Sequence, residues 1–167
     1  MKILCAIGIQ GGAELVKRVA DVAAAGPELV LLHVIDSGPR RTLEEMLRGP
    51  GGLRRMPPRP PAPPPPPGHE EARPLDAAEQ AAGEAILDEA RQAAAQAGLT
   101  AQAVLQKGRP EQLIVQVARE QGCRLVAIQA SEGAQGRPAL GPESVGHVAR
   151  FVLDHAPCDV LLIREGE

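Results

Sequence analysis

KILCAIGIQGGAELVKRVADVAAAGPELVLLHVI, the stretch from Lys2 to Ile35, decides the fold. It opens on Lys2–Ile7, a short apolar run closed by Gly8, which is the pattern of a buried strand. Leu15, Val19 and Val22 then recur on one helical face, with Val16, Ala20 and Ala23 beside them. Gly26-Pro27 is expected to end this helix, because a glycine suits the position after the cap and a proline cannot continue the turn. Leu29–Ile35 is apolar almost throughout, as a strand covered on both faces must be. A strand, a helix and a second fully covered strand form a unit whose two strands run parallel.

The rest of the chain repeats the alternation. Asp76, with Glu79 three residues later, is placed to cap an Ala-rich helix carrying Ala82, Ile86, Ala90, Ala93 and Ala97 and closing at Gly98. Thr100–Gln106 alternates as a strand does. Gly108-Arg109-Pro110 leads into a helix with Leu113, Val117 and Ala118 on one face, stopped at Gly122. Arg124–Ile128 reads as a strand, Gln129–Pro142 as a glycine-bearing loop, Glu143–His155 as a helix, and Asp159–Arg164 as the last strand. This order predicts one α/β domain over residues 1–167, an open five-stranded parallel sheet with helices on both faces, Rossmann-like in its winding. No internal repeat interrupts it.

One segment stands apart. Of the 17 prolines, 11 fall between Pro50 and Pro74. Proline fixes φ and removes the backbone donor, so the run from Pro57 to Pro67 suits neither a helix nor a central strand. A Pro-rich flexible insertion is expected at about residues 40–74, with two helical turns over Thr42–Arg48 at most. Its arginines (Arg40, Arg41, Arg48, Arg54, Arg55, Arg59) outnumber Glu44 and Glu45, which reads as a solvated arm before it reads as an anion-binding surface.

Composition removes several classes of function. The chain has one aromatic residue, Phe151, so stacking of bases or sugars on aromatic faces is not expected. A net charge of −3 provides no field for nucleic acid or an anionic membrane. Three cysteines (Cys5, Cys123, Cys158) without any C-x-x-C spacing argue against a disulfide framework and a zinc knuckle. No apolar run reaches the ~18 residues of a membrane helix, and Ile3–Ile9 is too short for a signal peptide. The expectation is a cytoplasmic protein with no metal site and no readable catalytic triad.

In a sheet of this kind, ligands sit beyond the carboxyl ends of the strands, where the winding reverses. Gly133 and Gly136, followed after nine residues by Gly146, lie on such a loop and suit a phosphate cradle at a helix N-terminus. The segment Gly146–Ile163 (GHVARFVLDHAPCDVLLI) resembles the carboxyl end of universal stress proteins. Gly108-Arg109-Pro110, the Leu31–Val34 strand and the opening KILCAI share the resemblance, which spans Met1–Pro39 and about Leu75–Arg164. It implies a fold of the adenine nucleotide alpha hydrolase-like type and binding of ATP or AMP, with magnesium only as the nucleotide's companion. The nucleotide-binding residues it implies are Ala6, Ile7, Gly8, Val34, Gly133, Gly136, Gly146, His147 and Val148. Two of these depart from the family pattern. His147 stands where a Ser or Thr hydroxyl belongs, and Gly8 stands where binding members carry an Asp that contacts the nucleoside. The resemblance also implies a homodimer through the last strand, with Val160, Leu161, Leu162 and Ile163 at the interface.

Three readings follow. One is a regulatory, stress-linked protein that binds an adenine nucleotide. Another is a partner-binding or scaffold protein that works without nucleotide, through its surface and Pro-rich arm. The third is an ATP-using enzyme of the same broad fold group, which would want a carboxylate where Gly8 stands.

Overall fold

The computed structural model describes residues 1–23, 26–36, 77–130 and 145–164. The Pro-rich insertion, the turns expected over Thr42–Arg48, the cap at Asp76, and Gly133 and Gly136 lie outside the described residues.

Five strands, β1 (Lys2–Ile7), β2 (Glu28–Asp36), β3 (Thr100–Gly108), β4 (Leu125–Gln129) and β5 (Asp159–Ile163), form one sheet in the order β3-β2-β1-β4-β5. Every pairing is parallel. The chain therefore winds outward from β1 to β3, then restarts beside β1 with β4, so the reversal falls between β1 and β4. Burial explains why β1 takes the centre: Ile3, Leu4 and Cys5 are fully buried, so both faces of this strand are covered.

The helices α1 (Gly12–Val22) and α2 (Ala77–Gln96) cover one face, and α3 (Pro110–Glu120) and α4 (His147–His155) cover the other. The period-2 alternation of the strands divides the core accordingly. Ile3, Cys5, Ile7, Leu29 and Leu31 pack with Leu15, Val16, Val19, Leu87 and Ala90. Leu4, Ala6, Val30 and Leu32 pack with Ile114, Val117, Val126, Ala149 and Val152.

Three boundaries differ from the sequence reading by more than one residue. Helix α1 ends at Val22, with Ala23 extended, so Gly26 (φ 47°), three residues beyond the cap, does not end the helix. Strand β3 runs on to Gly108, kept paired through the match of Lys107 with Ile35 and of Gly108 with Asp36. Helix α4 begins at His147, not at Glu143, because Gly146 has φ 83° and ψ 160°, a conformation that stops helical hydrogen bonding and that side-chain-bearing residues rarely adopt.

Candidate functional site

The carboxyl ends of β1 and β4 open onto the turn Gly8–Gly11 and the segment after Gln129, with the N-termini of α1 and α4 at the same edge. Helix α1 begins unusually close to the sheet. A Cβ on Gly12 would lie 2.8 Å from Ile7 Cγ2, so only glycine lets this first turn approach the end of β1. Gly11, which precedes it, has φ 74° and accepts the first helical hydrogen bond, from Leu15 N–H.

The structure brings most of the expected residues to this edge. Ala6, Ile7 and Gly8 end β1, and Val34 stands one residue beyond His33, the register partner of Ile7. Gly146, His147 and Val148 form the entry to α4. Ala6 and Ile7 are buried core side chains, so a ligand there meets their backbone. Val34 and Val148 are half-buried on the α3/α4 side of the sheet. Gly8 has an ordinary backbone, and a Cβ there would meet nothing nearer than Gln10 O at 3.5 Å. Its lack of a carboxylate is therefore not imposed by geometry. The reverse holds for Gly146, whose left-handed φ requires glycine whether or not a phosphate binds.

Three contacts at this edge were not legible in the sequence. His147, exposed at the first position of α4, has Nε2 3.9 Å from Glu111 Oε1, and the Glu111 side chain is only 17% exposed. This edge of the sheet thus carries a carboxylate from the first turn of α3. His33, 6% exposed, donates from Nδ1 to the carbonyl of Ile7 at 2.8 Å. Gln129 Nε2 donates to the carbonyl of Gly11 at 3.3 Å. The available signals were a glutamate directly after a helix-opening proline, a histidine within an apolar strand and a glutamine at a strand end, and none of them names a partner.

Elsewhere on the edge, Lys107 Nζ pairs with Glu79 Oε2 at 2.6 Å, fastening the end of β3 to the first turn of α2. At the opposite end of α4, His155 donates from Nδ1 to Phe151 O at 2.9 Å and stacks on the Phe151 ring, so it serves the helix terminus. Burial raises all three thiols, Cys5 to about 12. Among the described residues, no group of three or more His, Cys, Asp or Glu is placed to hold a metal ion, and no helix is long and apolar enough to cross a membrane.

On β5, Val160, Leu161 and Leu162 are half-buried, whereas Ile163 is 8% exposed and belongs to the chain's own core. Val160 and Leu162 share the α3/α4 face, and Leu161 the other.

Comparison with known proteins agrees with the architecture. The solved universal stress protein from Archaeoglobus fulgidus superposes with a TM-score of 0.63 at 16% identity, over 98% of this chain and 93% of that one. A universal stress protein in complex with cAMP gives 0.60 at 16% identity, over 99% and 98%. A universal stress protein family protein from Arabidopsis thaliana with AMP bound gives 0.58 at 16% identity, over 99% and 92%. At these identities the likeness concerns the fold. No curated protein matches the chain. The model of the universal stress protein family matches residues 54–164, about two thirds of the sequence, and the chain belongs to that family.

Proposed function

We propose that this protein is a regulatory binding protein whose ligand is an adenine mononucleotide, held in the crevice between the carboxyl ends of β1 and β4. The observation that carries the reading is the convergence of the Gly8–Gly11 turn, Val34 and the glycine-capped entry to α4 on the point where the sheet's winding reverses. Structural neighbours bearing AMP and cAMP support the ligand class. The chain's own residues set the preference within it. With Glu111 beside His147, a carboxylate stands where phosphate arrives, and a ligand of low charge suits this better than ATP. The fit needs no resident metal; magnesium would come only with a polyphosphate. The role is binding and not catalysis.

Calorimetric titration of the full chain with AMP, cAMP and ATP tests this, with native mass spectrometry reporting retained nucleotide and subunit count. Binding of AMP or cAMP more tightly than ATP supports the reading; no heat with any of the three overturns it. The second reading, a partner-binding protein that has lost its nucleotide, draws on Gly8 and His147, the two departures from the binding pattern. It gains if nucleotide binds only after Gly8→Asp and His147→Ser are combined.

A further inference from the structure

The turn between β1 and α1 is tied at both ends by side chains from neighbouring strands. His33, on β2, donates to Ile7 O at the start of the turn, across 26 residues of sequence. Gln129, at the end of β4, donates to Gly11 O at its close, across 118 residues. One tether comes from each side of β1, since β2 and β4 flank it. The His33 ring lies beneath α2. There a Cβ on Gly83 would stand 3.4 Å from His33 Cδ2, an ordinary contact, and 2.6 Å from Leu105 Cδ1, so the bare glycine makes room for Leu105 while the His33 ring packs beside it. A buried polar ring with a single well-placed acceptor is costly to disturb, since breaking the bond leaves a polar group without water.

We propose that His33 is a positioning residue for the candidate nucleotide site, with Gln129 as the weaker second tether. Together they hold the Gly8–Gly11 turn as a pre-formed wall of the crevice, so that the ligand does not bear the entropy of ordering it. In its ligand-binding part this rests on the proposed nucleotide reading; the tether itself does not.

The test separates hydrogen bonding from packing. Leucine at position 33 fills much of the imidazole's space without a donor, whereas asparagine places Nδ2 near the position of Nδ1 but fills less. In the full-length protein, His33→Leu is expected to speed amide hydrogen exchange across Gly8–Gly12 by about tenfold or more and to weaken AMP binding by about tenfold. His33→Asn is expected to restore both to within a few-fold of wild type. Exchange in the Gly122–Arg124 turn, at the other edge of the sheet, stays unchanged. The opposite order, with leucine tolerated and asparagine not, makes His33 a packing residue and overturns the proposal, as do equal effects of the two variants. Should the wild-type chain bind no AMP, the nucleotide reading falls while the exchange rates still decide the tether. If His33→Leu does not fold, Gln129→Leu reads the same amides from the other end of the turn, and unchanged exchange there counts against the double tether.

Discussion

The His147 imidazole, at the first position of α4, lies 3.9 Å from the Glu111 carboxylate in the first turn of α3. Both residues stand at helix N-termini, where partial positive charge favours anions. Glu111 partly answers that charge from within the protein. The end of the crevice that would receive phosphate is therefore less attractive to a polyanion than its glycines suggest. Each further phosphate charge within ~8 Å of the carboxylate costs about 1 kcal/mol at an effective dielectric of ~40. Glu111→Gln removes the charge and nearly keeps the shape. It should raise ATP affinity about fivefold or more while changing adenosine affinity little, as measured by calorimetry. Equal gains for both ligands would show that the carboxylate does not face the phosphates.

Gly8→Asp should be accommodated. The backbone at Gly8 is not left-handed, and the nearest atom to an added Cβ is Gln10 O at 3.5 Å, an ordinary contact. A carboxylate there can accept from a ribose hydroxyl, and charge-assisted hydrogen bonds contribute roughly 1.5–3 kcal/mol. The expected outcome is a gain of about tenfold in AMP affinity with a melting temperature within a few degrees of wild type. A folded variant whose affinity is unmoved would place the ribose elsewhere.

The last strand gives an assembly prediction. β5 pairs with β4 on one side, and Val160 and Leu162 are half-buried on the α3/α4 face. An apolar edge strand invites pairing with another chain, and a second copy meeting it about a two-fold axis is the expected occupant. Leu162→Glu should lower the mass seen by light scattering from dimer towards monomer, with circular dichroism unchanged. Ile163 is a poorer probe, because it is buried in its own core and its substitution would destabilise the fold as well.

The two central strands were legible because β1 and the start of β2 are buried on both faces, and continuous apolar runs admit few other readings. The end of β3 was not, since Lys107 and Gly108 are poor strand formers held there by pairing with Ile35 and Asp36. Glu143 reads as a helix start by composition, but the positive φ of Gly146 moves that start to His147. At the site, the glycines could be read while their neighbours could not. The His33–Ile7 and Glu111–His147 contacts depend on strand register and helix packing, which no local pattern encodes. Gly146 is ambiguous in the sequence for a physical reason, since a glycine there suits the positive-φ backbone and would equally suit the open approach of a phosphate.

Gln106 offers a test of buried polarity. Its Oε1 is buried and has no hydrogen-bond partner among the described residues, on a strand position level with Val34. An unsatisfied buried carbonyl costs roughly 1–3 kcal/mol, and a methionine of similar length removes it. Gln106→Met should therefore raise the urea midpoint, by about 1 kcal/mol of stability at unchanged slope. A destabilised variant would show that the amide is satisfied in solution.

Cys5 is expected to weaken the fold at alkaline pH. Burial, with a smaller contribution from Cys123, lifts its thiol from 9.0 to about 12, so in the native protein it stays protonated where an unfolded chain would have ionised it. Between these values the unfolded state binds fewer protons than the native state, and stability must fall as pH rises. The contribution is complete below pH 9, declines through the interval, and is spent above about 12. At about 1.4 kcal/mol per pH unit, the loss reaches a few kcal/mol for this one group. Cys123 and Cys158 are raised as well and act in the same direction. Cys5→Ala leaves a cavity and lowers stability at neutral pH, so Cys5→Val, nearer in volume, is the better comparison. Chemical denaturation at pH 7, 9 and 10.5 should show wild type losing stability across the series and Cys5→Val losing distinctly less. Parallel losses in the two proteins would mean that other groups set the alkaline limit. Alkylation provides an independent check: half-buried Cys158 should react first and fully buried Cys5 last, at a rate that tracks unfolding.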